Sequence, residues 1–220
     1  MPACLRNCKN AKMKRLQKIL WLAVLLLPLG AVTSCSESDD DEAVDEFANW
    51  QSRNDAFFAT LEDSVSRNAS AWKKIKSYTK NEQTAGVNTD YIYVKVLETG
   101  NDGASPLYSD TVRVAYRGRL IPSATYPQGY VFDQTFVGDY SVKTTAVYDG
   151  VASGFIDGFT TAVQHMHRGD RWRVYIPYTL GYGASSTSSI PAYSVLIFDL
   201  ALIDFASGRT PLGPWRSPQL

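Results

Sequence analysis

The feature that most constrains the fold is an alternation of apolar and polar residues in four segments beyond Gly86. Side chains of a β-strand point alternately to its two faces, so this period predicts strands with one packed and one polar face. Sheets that pack on one face and meet water on the other are typically antiparallel. The positions that share the packed face are Ile92, Val94 and Val96; Val112, Val114, Tyr116 and Gly118; Trp172, Val174 and Ile176; and Leu196, Phe198, Leu200 and Leu202.

A single helical segment interrupts these strands. Phe159, Val163 and Met166 recur at helical spacing, Asp157 can cap the helix, and Gly169 can end it. A sheet wrapped on one short helix is an α+β domain. The 45% hydrophobic and 12% aromatic content suffices for a packed core, which excludes global disorder.

The residues before the strands have a different, helical period. Apolar residues recur three, four or seven apart between residues 45 and 65, which predicts an amphipathic helix with polar Asn54 on its apolar stripe. A second helical stretch is predicted from Ala71 to Tyr78. We assign residues 45–86 to a helical arm. Such an arm could form a homodimer, bind clients or pack on its own domain, and most amphipathic helices do the last.

Residues 1–34 are predicted to be a secretory signal peptide. They carry six basic residues and no acidic one, and an apolar run at 19–29 is followed by small residues. The run is shorter than the roughly 20 residues that span a bilayer, and Pro28 interrupts it. A signal peptide that begins at Met13 fits this pattern better than one that begins at Met1. The start of translation is therefore left open between Met1 and Met13.

Val32-Thr33-Ser34-Cys35 resembles the bacterial lipobox, in which the cysteine becomes the lipidated first residue of the mature protein. Cleavage there would remove Cys4 and Cys8, so the mature chain would have neither a disulfide nor a cysteine metal site. The precursor's 22 basic and 22 acidic residues balance, but 16 basic and 22 acidic residues remain beyond residue 34, a net charge of −6. That balance argues against nucleic acid as a partner.

Residues 35–44 form an acidic tether. Its composition is that of a solvated, self-repelling linker. It also resembles the acidic stretch that follows the lipidated cysteine in surface-exported lipoproteins of Bacteroidetes. We therefore expect an extracytoplasmic protein that is lipid-anchored to a bacterial outer membrane, on its periplasmic or cell-surface face.

Seven short motifs follow one another in a distinctive order. They are V-x-Y-x-G at 114–118, G-Y-V-F-D at 129–133, F-I-D-G-F at 155–159, M-H-R-G-D-R-W-R-V-Y-I-P at 166–177, L-G-Y-G-A at 180–184, I-P at 190–191 and L-I-F-D-L-A-L at 196–202. Together they resemble the FKBP-type peptidyl-prolyl cis-trans isomerases over residues 87–206. The resemblance implies an antiparallel half-barrel sheet around the helix, with an apolar pocket between them, and leaves 207–220 as a C-terminal tail.

The resemblance also implies roles for individual pocket residues. Phe159 would floor the pocket under the proline ring. The Ile156 N–H and the Tyr182 hydroxyl would hold substrate carbonyls, and Asp133 would polarise the twisted amide or orient Tyr116. The implied substrate-binding residues are Phe132, Phe155, Phe159, Ile190 and Phe198. No metal or cofactor is implied, and His165 and His167, two apart, do not share a helix face as a metal pair would.

Departures from the family pattern surround the groove. Phe159 stands where the family usually has tryptophan. The turn between Tyr116 and Phe132 is extended by residues 122–128, and the stretch from Asp133 to Phe155 is longer than usual. The loop 185–189 is rich in serine. The leading hypothesis is an isomerase that acts on proline-containing polypeptides during the folding of exported proteins. The alternative is a non-catalytic peptide-binding module or chaperone on the same fold, and a third function is that of a surface lipoprotein whose helical arm mediates assembly.

Overall fold

The computed structural model describes residues 45–100 and 103–218. The predicted signal peptide, Cys35 and the acidic tether lie outside this range. The helices are α1 (Trp50–Arg67) and α2 (Asp157–Val163), with short 3₁₀ turns at Asn88–Asp90, Ala152–Gly154 and Tyr178–Leu180. The strands are β1 (Trp72–Lys76), β2 (Tyr91–Glu98), β3 (Thr111–Arg119), β4 (Val131–Gln134), β5 (Tyr148–Val151), β6 (Arg171–Ile176) and β7 (Leu196–Ala206).

The described strands form one antiparallel sheet in the order β1-β2-β6-β7-β3-β4, with β5 also paired to β3. Its inner face carries the alternating apolar residues and packs against α2, whose Phe159 and Val163 are buried. Val94, Val174 and Leu200 on that face are fully buried. The α+β fold with an antiparallel sheet around a short helix, predicted from the alternation and the motifs, is confirmed.

Helix α1 packs on the opposite, outer face of the same sheet. Phe58 meets Tyr93 edge-on with ring centroids 5.2 Å apart, and Phe57 lies 6.2 Å from Tyr175. Tyr93 and Tyr175 are register partners on β2 and β6, and Tyr93 is fully buried. The expectation that this face is solvated is therefore wrong where α1 covers it.

The prediction of a second helix at residues 71–78 is wrong, because this stretch contains strand β1. Ile75 pairs with Ile92 of β2. The backbone N–H and C=O groups of this stretch therefore bond to the neighbouring strand and not within a helix. Trp72 stacks on Tyr175 at 5.5 Å, whereas Ile75 lies on the other face, as strand alternation requires. Two apolar residues three apart are too short a pattern to separate the two structures.

Helix α2 is shorter than its sequence signals indicated. Asp157 is its first residue and makes no side-chain cap, and the helix ends at Val163 well before Gly169. Gly169 instead adopts φ +87° in the turn into β6, where its N–H donates to the Leu202 carbonyl. Within the described residues, no helix has the length and apolar character needed to cross a membrane.

Candidate functional site

A cavity of about 680 Å³ lies between α2 and the inner face of the sheet. All nine pocket residues named from the sequence line it: Tyr116, Phe132, Asp133, Phe155, Ile156, Phe159, Tyr182, Ile190 and Phe198. Four further lining residues were not anticipated: Tyr148, Gly154, Thr187 and Ser189. The topology thus gathers into one place residues that lie up to 82 positions apart in the sequence, from Tyr116 to Phe198.

Aromatic rings form the bottom of the cavity. Phe159 of α2 stacks on Phe155 with centroids 4.5 Å apart and meets Phe198 of β7 edge-on at 5.2 Å. Phe132 of β4 meets the same Phe198 at 5.5 Å. Phe159 and Phe198 are almost fully buried. Such edge-to-face and stacked pairs favour fixed ring positions, so the floor and walls are set before any ligand enters.

Gly118 on β3 makes this ring arrangement sterically possible. A Cβ atom at this position would lie 2.5 Å from the Phe132 ring and 2.8 Å from the Phe198 ring. Real Cβ atoms do not approach other atoms so closely, and both rings are held by their neighbours. The glycine of the V-x-Y-x-G motif is therefore required by ring packing rather than by a turn.

Asp133 and Tyr116 form the polar element of the cavity. The Tyr116 hydroxyl donates a hydrogen bond to Asp133 Oδ2 at 2.6 Å. Burial first, and then the bond to Asp133, raise the pKa of Tyr116 far above its usual value. Tyr116 is therefore a protonated donor at neutral pH. Of the two roles considered for Asp133, this geometry provides a basis for the orienting one.

The rim of the cavity carries two candidate donors for a bound peptide. Ile156 precedes the first turn of α2, and its carbonyl accepts the Thr160 N–H. Among the described residues, no hydrogen-bond acceptor is assigned to the Ile156 N–H. Tyr182 lies in the loop after the Tyr178–Leu180 turn, lines the cavity and is 43% exposed.

Tyr148 was missed because its position depends on strand register. It is paired with Val114 across β5 and β3, which places it on the inner face, and its ring lies 5.9 Å from Phe155. Nothing in the local sequence fixes the register of a four-residue strand. Thr187 and Ser189 belong to the serine-rich loop 185–189, which the sequence marked as unusual without indicating which side chains face the cavity.

The two histidines have separate surroundings. His165 Nδ1 lies 2.8 Å from the Thr161 carbonyl, and the His167 backbone N–H donates to Asp170. Neither lines the cavity. Within residues 45–100 and 103–218, no group of three or more metal-ligating side chains comes together.

Residues 103–203 match the family model described as FKBP-type peptidyl-prolyl cis-trans isomerase. This stretch belongs to the FKBP-type family. The matched residues include β3 to β6 and most of β7, and thus every residue that lines the cavity.

Three curated proteins illustrate what this chain is similar to. The chain is 38% identical over 118 residues to a macrophage infectivity potentiator of Trypanosoma cruzi, which covers 52% of this chain and 54% of that protein. It is 32% identical over 139 residues to an FKBP-type 22 kDa peptidyl-prolyl cis-trans isomerase of Escherichia coli, covering 62% and 61%. An outer membrane protein MIP of Legionella longbeachae is 37% identical over 110 residues, covering 50% and 42%. The chain thus spans about half of these relatives.

The crystal structure of a peptidyl-prolyl cis-trans isomerase from Pseudomonas syringae has the same fold. It matches with a TM-score of 0.52 and 24% identity, and covers 73% of this chain and 96% of that one. At this identity, the likeness supports the architecture of the FKBP-type domain and not its activity.

The Tyr116–Asp133 pair leads to a prediction for the titration of the FKBP-type domain. In protein labelled with ¹³Cζ-tyrosine, the Tyr116 resonance should show no ionisation shift at pH 10, the usual tyrosine value. The folded state therefore favours the protonated phenol. Its contribution to stability is complete below about pH 10 and is lost as the pH rises through the folded pKa.

The variant Asp133→Asn separates the two causes of this shift. It removes the carboxylate but leaves the burial, so the pKa of Tyr116 should fall below that of the wild type and stay above the ordinary value. The variant Tyr116→Phe assigns the resonance. A Tyr116 that ionises normally in the wild type would contradict the pairing.

Proposed function

We propose that this protein is a peptidyl-prolyl cis-trans isomerase that assists the folding of exported proteins. The observation that carries the proposal is a preformed aromatic cavity whose rim offers hydrogen-bond donors at Ile156 and Tyr182. Membership of its central domain in the FKBP-type family supports the same activity. The substrates are proline-containing polypeptides, and the reaction requires neither a metal nor an organic cofactor.

The reaction suits an apolar site. Rotation about the C–N bond faces a barrier of about 18–20 kcal/mol, because resonance gives that bond partial double-bond character. Twisting by about 90° breaks the conjugation and makes the amide less polar. An aromatic cavity that surrounds the proline and excludes water binds this twisted form better than either planar isomer. This preference for the transition state is the source of the acceleration.

The floor of the cavity suggests how the missing tryptophan is compensated. Phe159 alone offers a smaller surface than the indole usual in the family. The stacked ring of Phe155 extends it, because the two rings lie 4.5 Å apart and are inclined by only 27°. In this proposal the pyrrolidine ring rests on Phe159, while Phe132 and Phe198 wall it on the sheet side.

Polar groups then hold the peptide on both sides of the rotating bond. The Ile156 N–H and the Tyr182 hydroxyl each donate to a substrate carbonyl, so the flanking chain is fixed while the prolyl bond turns. Asp133 acts through Tyr116, because its carboxylate accepts a hydrogen bond from the Tyr116 hydroxyl at 2.6 Å. The raised pKa of Tyr116 shows that its phenol keeps its proton and remains a donor to Asp133.

The enzymatic proposal is tested by isomerisation of X-Pro peptides, followed by protease coupling or NMR exchange. Loss of a hydrogen bond to a charged group costs about 1.5–3 kcal/mol, so Asp133→Ala should lower kcat/KM by about 10- to 100-fold. Tyr182→Phe removes a neutral hydrogen bond and should lower it by roughly 2- to 10-fold. Asp63→Ala and Tyr126→Phe are matched controls at exposed sites outside the cavity and should retain full activity.

The same assay separates the alternative function. The serine-rich loop and the substituted floor, Phe159, are the observations that favour a non-catalytic module. If the wild-type protein binds proline peptides and suppresses aggregation but does not accelerate isomerisation, the enzymatic proposal fails and the chaperone reading stands.

We further propose that the mature protein is lipid-anchored through Cys35 outside the cytoplasm, on the periplasmic or cell-surface face of an outer membrane. The basic and apolar leader and the lipobox-like residues before Cys35 support this placement. One relative is itself named an outer membrane protein. The apolar residues of α1 are buried against the sheet of their own chain, so we do not extend the proposal to a homodimer through this helix.

Metabolic labelling with palmitate tests the anchor. The wild type should incorporate label, Cys35→Ser should not, and Cys4→Ser should behave as the wild type because Cys4 lies in the part removed. Globomycin should cause the precursor to accumulate. Labelling that persists in Cys35→Ser would refute this anchor, and protease treatment of intact cells would place the domain on one membrane face.

A further inference from the structure

Helix α1 carries a polar residue, Asn54, on its buried face. Asn54 lies in the second turn of the helix and is fully buried, at helical spacing from the buried residues Trp50, Phe58 and Leu61. Burying an amide is costly unless its hydrogen bonds are made. Its Nδ2 donates to the Trp50 carbonyl at 2.7 Å, within the helix. Its Oδ1 accepts the backbone N–H of Val195 at 2.8 Å, on a distant part of the chain.

A second bond reaches the same segment from the preceding turn of α1. Trp50 Nε1 donates to Ser194 Oγ at 2.8 Å, and this contact is buried. Ser194 Oγ in turn donates to the Pro191 carbonyl at 2.6 Å. Two side chains on one face of α1 therefore hold two consecutive residues, Ser194 and Val195, and through them Pro191.

The segment that α1 holds is continuous with the wall of the cavity. Ile190, which lines the cavity, directly precedes Pro191, and β7 with its wall residue Phe198 begins just after Val195. Between them, Tyr193 has φ +60°, and its N–H donates to the carbonyl of Gly183, the neighbour of Tyr182. A left-handed conformation at a non-glycine residue persists only where surrounding contacts impose it.

We propose that Trp50 and Asn54 are positioning residues for the prolyl cavity, and that α1 locks the 190–195 segment and thereby sets the wall at Ile190. They touch no substrate and act through Ser194, Val195 and Pro191. This role rests on the proposed function of the cavity. Both residues lie outside residues 103–203, so the lock is an addition to the FKBP-type domain.

Three substitutions in the full chain test the lock. Trp50→Phe keeps an aromatic ring but removes the N–H donor, Ser194→Ala removes its acceptor, and Asn54→Ala frees the Val195 N–H. Each should increase amide hydrogen exchange at Val195 and Ile190 by roughly tenfold or more. Each should also raise KM for an X-Pro peptide by about five- to tenfold with a smaller change in kcat, since misplaced walls weaken binding.

A control in the same helix separates positioning from simple stability. Leu61 is buried like Asn54 but lies seven residues further along, about 10 Å away. Leu61→Ala should lower the melting temperature and leave KM and Ile190 exchange at wild-type values in the folded protein. The double variant Trp50→Phe with Ser194→Ala should be no worse than Ser194→Ala alone, because Ser194→Ala already removes the Trp50–Ser194 bond together with the Ser194–Pro191 bond.

Two results would overturn the lock. One is unchanged exchange at Ile190 and Val195 in folded Trp50→Phe and Asn54→Ala. The other is an equal change of KM in Leu61→Ala. If the wild type is inactive on all X-Pro peptides, the proposed function fails. The lock is then still decided by amide hydrogen exchange at Ile190 and Val195 and by the affinity of the variants for a proline peptide.

Discussion

The rest of the structure depends on strand β7, which is paired with a neighbouring strand along each of its two edges. Its successive side chains point alternately to the inner and the outer face of the sheet. It bonds to β3 on one side and to β6 on the other over most of its eleven residues. Phe198 points into the cavity. The next residue, Asp199, lies on the outer face and accepts bonds from Arg119 and Arg173 at 2.6 Å each. Removing one partner of this partly buried ionic group would leave the remaining charge uncompensated, so the bonds to Asp199 tie β7 to β3 and β6 on the outer face.

This arrangement links the cavity to elements that lie behind it. The inner face presents aromatic rings to α2, and the outer face is covered by α1 through Phe58 and Tyr93. Residues 190–195 lead from the cavity wall at Ile190 to the start of β7, and α1 holds Ser194 and Val195 by side-chain bonds. The wall of the cavity is thus set from the outer layer, although no residue of that layer lines the cavity.

The sequence was sufficient where a residue's position follows from periodicity or motif. Alternation placed Phe198 on the inner face, and the order of the motifs named the nine residues that the fold gathers. It was insufficient where position depends on partners far away in the chain. Trp72 and Ile75 suggested a helix, and pairing with β2 makes them a strand. Tyr148 required the register of β5.

Asn54 illustrates the same limit. A polar residue on an apolar stripe was visible in the sequence, but its partner at Val195 lies 141 positions away and only the fold reveals it. The Tyr116–Asp133 bond similarly joins β3 to β4, and its effect on the Tyr116 pKa depends on burial that no local pattern specifies.

The central claim is that the aromatic cavity holds proline and favours its twisted amide. Exchange NMR on one isotopically labelled X-Pro peptide tests this claim most directly, because the same spectra report binding and cis–trans exchange. The account predicts intermolecular contacts between the proline ring and Phe159, together with exchange well above the uncatalysed rate of once in tens of seconds or slower. Contacts at Phe159 with exchange at the uncatalysed rate would contradict it.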